Sequence, residues 1–204
     1  STGDPNGIGI EVILKSLEKI NFIGKFIPVI FSNYKLIEEQ KKFFNLNCEI
    51  ISIDNIKNLS RDCINVLNLN NKNFNIEFGK SKIEGGEFSR LSLRRAVEFL
   101  KNSMIDGLVT GPINKNNIQN SDFDFKGHTD FLDTYFNGDA LMFMISSKIK
   151  IALLTEHVPL NKVVDQITTE LIKNRVQLVE NSLKNDFMIK KPKIAILSIN
   201  PHVG

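Results

Sequence analysis

The sequence predicts an α/β fold in which a largely parallel β-sheet is covered by helices on both faces. Along the 204 residues, short apolar segments alternate with longer segments whose apolar side chains recur at helical spacing. This alternation is typical of α/β proteins, and the apolar segments lack the polar positions expected of a strand with one solvated face. No internal repeat, linker or low-complexity tract marks a domain boundary.

The first 82 residues are predicted to contain two helices and three strands. Asp4 is a plausible N-cap and Pro5 suits a first helical turn, so the first helix is expected over residues 5–20. The elements predicted after it are a strand at 26–31, a helix at 34–44, strands at 48–53 and 63–69, and a loop at 70–82.

The rest of the chain continues the same alternation. Gly85 and Gly86 are expected to precede a long amphipathic helix, and residues 107–110 are expected to form a buried strand that Gly111 and Pro112 end. The elements predicted after it are a helix at 129–136, paired strands at 141–145 and 149–154, a helix at 169–183 and a final buried strand at 193–199.

Composition and charge exclude several classes of protein. With 42% hydrophobic and 24% charged residues, the chain is typical of a globular protein that builds a core without disulfides. The net charge of +3 is small and the lysines are scattered, which argues against nucleic-acid binding. No apolar run approaches the ~20 residues of a membrane span. Cys48 and Cys63 form no metal or redox motif, so we expect reduced thiols and a cytoplasmic protein.

Polar clusters follow several of the predicted strands, and α/β folds bind ligands at the carboxyl ends of strands. Residues 3–9 carry glycines spaced GxxxGxG ahead of a helix, which suits either an anion-binding turn or a tight turn without a ligand. Lys115 follows the predicted strand at 107–110 and is either a phosphate or carboxylate ligand or a solvated lysine. Lys115 and Asp4 are the candidates for a general base.

The three histidines also lie in such positions. Thr129 is the predicted N-cap of the helix at 129–136, and His128 beside it is either a phosphate donor or a surface histidine. His157 and His202 each follow an apolar segment and lie close to a proline. Imidazole is the commonest transition-metal ligand, so these two form a candidate metal pair, although catalytic sites usually supply three protein ligands.

Five segments, in order, resemble the 4-hydroxythreonine-4-phosphate dehydrogenase family. They are GDPNGIGIE from Gly3, DGLVTGPINK from Asp106, GHTDFL from Gly127, LLTEHVPL from Leu153 and NPHVG from Asn200. The resemblance implies an isocitrate/isopropylmalate dehydrogenase-like fold of two α/β domains with the active site in the cleft between them, at a homodimer interface. Residues 1–204 then correspond to the N-terminal two-thirds of such an enzyme, and we expect a chain truncated at its C-terminus.

The resemblance also assigns residues and cofactors. His128 and Thr129 match the family's substrate-binding pair, and His157 and His202 match two of its three histidine metal ligands. The third ligand and most of the NAD site are expected outside this chain. The implied reaction is oxidation of 4-phosphooxy-L-threonine by NAD or NADP, then decarboxylation to 3-amino-2-oxopropyl phosphate in pyridoxal 5'-phosphate biosynthesis. The implied metal is zinc, magnesium or cobalt.

Two departures from the family pattern and several alternatives remain. Ile10 stands where the family often has proline, and Asp130 where glutamate is usual. Related enzymes act on another phosphorylated hydroxy acid or on a dihydrodiol, and a phosphate acyltransferase of the same fold would need neither NAD nor a histidine-bound metal. A non-catalytic module that binds a phosphorylated metabolite would bind its ligand without turnover.

Overall fold

The computed structural model describes residues 1–69, 73–119, 123–125, 127–136 and 139–200. The chain divides into two compact units, Ser1–Gly138 and Asp139–Gly204. The described elements of the first unit are α1 (Gly9–Lys19), β1 (Val29–Ser32), α2 (Tyr34–Phe43), β2 (Ile50–Ile53), a 3-10 turn (Ile56–Asn58), β3 (Ile64–Asn68), α3 (Ile83–Lys101), α4 (Lys115–Ile118) and α5 (His128–Tyr135). Those of the second unit are β4 (Phe143–Ile145), β5 (Lys150–Ala152), α6 (Leu160–Gln166) and α7 (Thr169–Asn185).

The first unit contains a parallel sheet with helices on both faces, as predicted. Its strand order is β1-β3-β2, and β3 pairs in parallel with both neighbours. Successive side chains of a strand point to opposite faces. Ile30 and Val66 therefore join a cluster with α1 and α2, whereas Phe31 and Leu67 join a cluster with α3 on the other face. Burial on both faces explains why these strands are largely apolar.

A third apolar cluster holds α3, α4 and α5 together. Leu93 of α3, Ile118 of α4 and Phe131 of α5 are each at most 1% exposed and belong to this cluster. The rings of Phe123 and Phe131 are stacked with their centroids 5.0 Å apart. Offset aromatic pairs at such distances stabilise a core beyond the area they bury. The two short helices that carry Lys115 and His128 are therefore fixed to the long helix α3.

The second unit contains a hairpin and two helices. β4 and β5 pair antiparallel, with Met144 opposite Ile151, which confirms the predicted pair of strands. α7 begins after Thr168, whose hydroxyl accepts a hydrogen bond from the backbone N–H of Leu171 at 3.1 Å. The helix α6 was not predicted. Among the described residues, no helix of either unit is both long and apolar enough to cross a bilayer.

Two predicted strands are wrong in the described structure. Residues 107–110 form no strand, and Val109 is 84% exposed. The amino nitrogen of Ser1 donates to the carbonyl oxygen of Val109, and the carbonyl oxygen of Ser1 accepts from the N–H of Gly111. Residues 193–199 also form no strand, and Leu197 is 88% exposed. A strand needs a neighbour that takes up its backbone hydrogen bonds. None of the described strands pairs with either segment, so apolar composition alone does not make them strands.

The start of the first helix is also corrected. α1 begins at Gly9, and its N-cap is Ile8, which supplies no side-chain hydrogen bond. Asp4 is therefore not the N-cap, and Pro5 lies in a turn that precedes the helix. The turn forms because the carboxylate of Asp4 accepts the N–H of Asn6 at 2.9 Å. Gly85 and Gly86 likewise lie within α3 rather than before it.

Candidate active site

The predicted glycine-rich segment and the predicted Lys115 segment are in direct contact in the first unit. The backbone N–H of Asp4 donates to the carbonyl oxygen of Pro112 at 3.2 Å. Gly3 has a φ of 70°, and a Cβ at this position would lie 2.0 Å from the same carbonyl oxygen. Only glycine combines this left-handed backbone with so close an approach. The loop from Gly3 to Asn6 is thus held against the turn at Gly111 and Pro112.

The carboxylate of Asp4 is buried at the start of α3. Asp4 is 5% exposed, and its Oδ1 and Oδ2 atoms accept hydrogen bonds from the N–H of Asn6 at 2.9 Å and from Nδ2 of Asn117 at 2.7 Å. A Cβ at Gly85 would lie 2.5 Å from Oδ1, so the carboxylate adjoins the first turn of α3. A negative charge there is stabilised by the helix dipole.

Lys115 is the first residue of α4 and its side chain is exposed. Its helix is capped by Asn114, whose side chain accepts the N–H of Asn116 at 3.0 Å and donates to Ser81 at 3.0 Å. Within the described ranges, Lys115 takes part in none of the ion pairs. The side chain of Lys115 is therefore open to solvent, where an anionic ligand can reach it.

His128 begins α5, one residue earlier than predicted. The N-cap is Gly127, which has no side chain to satisfy the first N–H groups, and Thr129 is an exposed second residue of the helix. Thr129 is therefore not the N-cap. The Nε2 atom of His128 is buried and has no hydrogen-bond partner in the described part of the chain. Burial lowers the pKa of His128, which favours the neutral imidazole.

His157 lies in the second unit, in the loop between β5 and α6. It is exposed, and its φ of 54° places it in the left-handed region. A non-glycine residue in this region carries a strain of order 1–3 kcal/mol, which is often found at functional sites. His202, its predicted partner, lies outside the described residues, so the distance between the two imidazoles stays a prediction. Among residues 1–200 that the structure describes, no group of three His, Cys, Asp or Glu side chains could hold a metal.

Asn117 is the residue of this site that the sequence did not indicate. It is 8% exposed, and its Nδ2 donates both to Asp4 and to the carbonyl oxygen of Lys82 at 2.9 Å. It belongs to a run of asparagines around Lys115, and nothing in the residue types separates a buried member of the run from an exposed one. The adjacent glycines 85 and 86 were the only available signal, because paired glycines inside a helix indicate a close backbone contact.

Comparison with known families identifies the protein's family. The model of the pyridoxal phosphate biosynthetic protein PdxA matches residues 25–204, which is most of the chain. The chain belongs to this family. Within the PdxA family it is similar to two proteins named 4-hydroxythreonine-4-phosphate dehydrogenase. That of Bacteroides thetaiotaomicron is 33% identical over 204 residues, which are 99% of this chain and 56% of the relative. That of Sulfurihydrogenibium sp. is 38% identical over 203 residues, which are 99% of this chain and 62% of the relative.

A solved PdxA-family structure agrees with the fold. The crystal structure of a 4-hydroxythreonine-4-phosphate dehydrogenase from Burkholderia phymatum superimposes with a TM-score of 0.86 over 98% of this chain and 62% of that one, at 23% identity. This likeness confirms the mixed α/β fold. The chain spans about three-fifths of the length of the curated relatives it matches.

Proposed function

We propose that this protein catalyses, or forms part of an enzyme that catalyses, NAD-dependent oxidation of 4-phosphooxy-L-threonine and decarboxylation to 3-amino-2-oxopropyl phosphate, in pyridoxal 5'-phosphate biosynthesis. The observation that carries the proposal is the identity of 33–38%, over nearly the whole chain, with proteins named for this dehydrogenase activity. We further propose that the enzyme is cytoplasmic, and that it uses NAD or NADP bound largely outside residues 1–204.

His128 and Thr129 are proposed to bind the phosphate of the substrate. The start of α5 lacks a side-chain cap, and the N-terminus of a helix suits an anion. The imidazole of His128 has a buried nitrogen without a partner among the described residues, and the exposed hydroxyl of Thr129 lies beside it. With its pKa lowered by burial, His128 would act as a neutral hydrogen-bond donor rather than as a cation. Donors of this kind fix a phosphorylated substrate in the reacting geometry.

His157 and His202 are proposed to hold a divalent cation, with zinc, magnesium and cobalt as the candidates. His157 fits this role, because it is an exposed imidazole whose backbone conformation is costly and therefore specified by its surroundings. When bound, a divalent cation lowers the pKa of a substrate hydroxyl and stabilises negative charge on oxygen as carbon dioxide leaves. Each of the two residues would contribute one imidazole nitrogen to the cation.

Of the two candidates for the general base, Lys115 is better placed than Asp4. The side chain of Lys115 is exposed, whereas both carboxylate oxygens of Asp4 accept hydrogen bonds inside the protein. A general base must come within hydrogen-bond reach of the proton that it removes. We therefore assign contact with the substrate to Lys115 and a supporting position to Asp4.

An assay of the purified protein tests the proposed function. With 4-phosphooxy-L-threonine, NAD and added zinc or magnesium, we expect NADH and carbon dioxide to form in equal amounts. Other phosphorylated hydroxy acids and a dihydrodiol serve as competing substrates, and faster turnover of one of them would reassign the protein within the family. Acyl transfer to phosphate without NAD or metal would identify a phosphate acyltransferase instead. Binding of the phosphorylated substrate without any turnover would leave a metabolite-binding module.

A further inference from the structure

We propose that Asp4 and Asn117 are positioning residues that clamp the segment 112–117 and thereby place the ammonium group of Lys115. The assignment of Lys115 to the substrate rests on the proposed function above, whereas the clamp itself rests on contacts within the first unit. Asp4 holds both ends of the segment. Its backbone N–H donates to the carbonyl oxygen of Pro112 at 3.2 Å, and its Oδ2 accepts from Nδ2 of Asn117 at 2.7 Å. Lys115 lies between these two points.

The orientation of the Asn117 amide is fixed by two acceptors. Its Nδ2 donates to the carboxylate of Asp4 and to the carbonyl oxygen of Lys82 at 2.9 Å, while its Oδ1 is buried without a donor in the described part of the chain. A flipped amide would place Oδ1 against a carboxylate and a carbonyl oxygen, which repel it. Asn117 is 8% exposed and Asp4 5% exposed, so water does not readily replace either contact.

The backbone of α3 gives the clamp a rigid base. A Cβ at Gly86 would lie 1.8 Å from the carbonyl oxygen of Asn117, so the helix and the segment are in direct backbone contact. The serine hydroxyl of Ser89, one turn further along, donates back to the carbonyl oxygen of Gly85 at 2.8 Å. A lysine side chain has four rotatable bonds, and a fixed backbone beneath it limits the positions that its ammonium group can occupy.

The variant Asp4→Asn tests the clamp with little change in volume. Asparagine at position 4 can still accept the N–H of Asn6, but it sets an amide NH2 group against the NH2 group of Asn117 or forces Asn117 to turn away from Lys82. We expect kcat/KM for 4-phosphooxy-L-threonine to fall about 10-fold, the loss typical of one hydrogen bond to a charged group. The matched control Asn21→Asp makes the reverse change of side chain at an exposed position between α1 and β1, and it should stay within about 2-fold of the parent protein.

A double-mutant cycle with Lys115→Ala separates positioning from general damage. If Asp4 acts through Lys115, then in a protein that already carries Lys115→Ala the further change Asp4→Asn should lower kcat/KM by less than about 2-fold. The two single variants should also alter the same parameter, either KM or kcat. If the loss of kcat/KM in the double variant equals the product of the losses in the two single variants, the proposal is overturned. Should Asp4→Asn fail to fold, Asn117→Ala enters the same cycle in its place.

Hydrogen exchange gives a second readout that does not depend on activity. Backbone amides of residues 113–118 should exchange faster in Asp4→Asn than in the parent protein, while Lys115→Ala should leave their exchange unchanged. Unchanged protection in Asp4→Asn would overturn the clamp. If the parent protein oxidises none of the substrates but the exchange result holds, the proposed function fails and the clamp stands.

Discussion

At the scale of single residues, the clearest prediction about substrate binding concerns His128. Its buried Nε2 lacks a partner among the described residues, and it begins a helix without a side-chain cap. Charge-assisted hydrogen bonds to phosphate contribute about 1.5–3 kcal/mol, so His128→Ala should lower kcat/KM by roughly 10- to 150-fold. Steady-state kinetics measure this change. Affinities for NAD and metal should stay nearly constant, and an unaltered kcat/KM would make His128 a plain surface histidine.

For His157 we expect effects on both metal binding and the stability of the folded protein. Replacing its imidazole should abolish metal binding, which calorimetry with zinc measures, in His157→Ala and His157→Gly alike. The glycine variant should also be the more stable of the two, by about 1 kcal/mol, because the φ of 54° at position 157 is costly for any residue with a Cβ. Met188, with a φ of 56° and 78% exposed, provides the control. At position 188 the glycine variant should again be more stable than the alanine variant, and neither should change the affinity for zinc. If His157→Ala keeps its affinity for zinc, His157 is not a metal ligand.

At the scale of elements, the contact between α3 and α4 depends on Gly86. Glycine to alanine stabilises an exposed helix interior by about 1 kcal/mol, because it reduces the entropy lost on folding. Here the added Cβ would lie 1.8 Å from the carbonyl oxygen of Asn117, so the two helices would have to separate. We expect Gly86→Ala to lower the free energy of unfolding by about 2 kcal/mol net, within the range for overpacked sites.

Denaturant titration measures the effect of Gly86→Ala. Gly107 is the matched control, because a Cβ there meets nothing within 4 Å and its φ is not in the left-handed region. Gly107→Ala should leave the unfolding midpoint nearly unchanged. If Gly86→Ala were as stable as the parent protein, the close packing of α3 against α4 would be refuted, and with it the rigid base assigned to the Lys115 segment.

At the scale of the whole molecule, the PdxA family resemblance predicts a homodimer with the metal site near the two-fold interface. The described surface of the second unit is compatible with burial against another surface, since Leu160, Val164 and Leu197 are 88%, 66% and 88% exposed. Dimers with one self-complementary interface are the commonest oligomers. Light scattering of the intact protein at micromolar concentration should give twice the mass of its monomer. A monomer alone would contradict the prediction.

The sequence by itself determined the parts of the fold that depend on local pattern. Apolar strands such as 64–68 and amphipathic helices such as 34–43 were predicted to within a few residues, because burial on both faces or on one face imposes a readable spacing. The order of five short segments also indicated the family, which the match to residues 25–204 confirmed.

Only the tertiary structure decided what depends on partners distant in the chain. Residues 107–110 and 193–199 have the composition of strands, but a strand exists only where another strand accepts its hydrogen bonds, and composition does not reveal that. Asp4 has the local pattern of an N-cap, yet its carboxylate accepts a hydrogen bond from Asn117, which is 113 positions away, and lies beside the first turn of α3. Contacts over such separations are set by how the elements pack, so no local spacing could have identified Asn117.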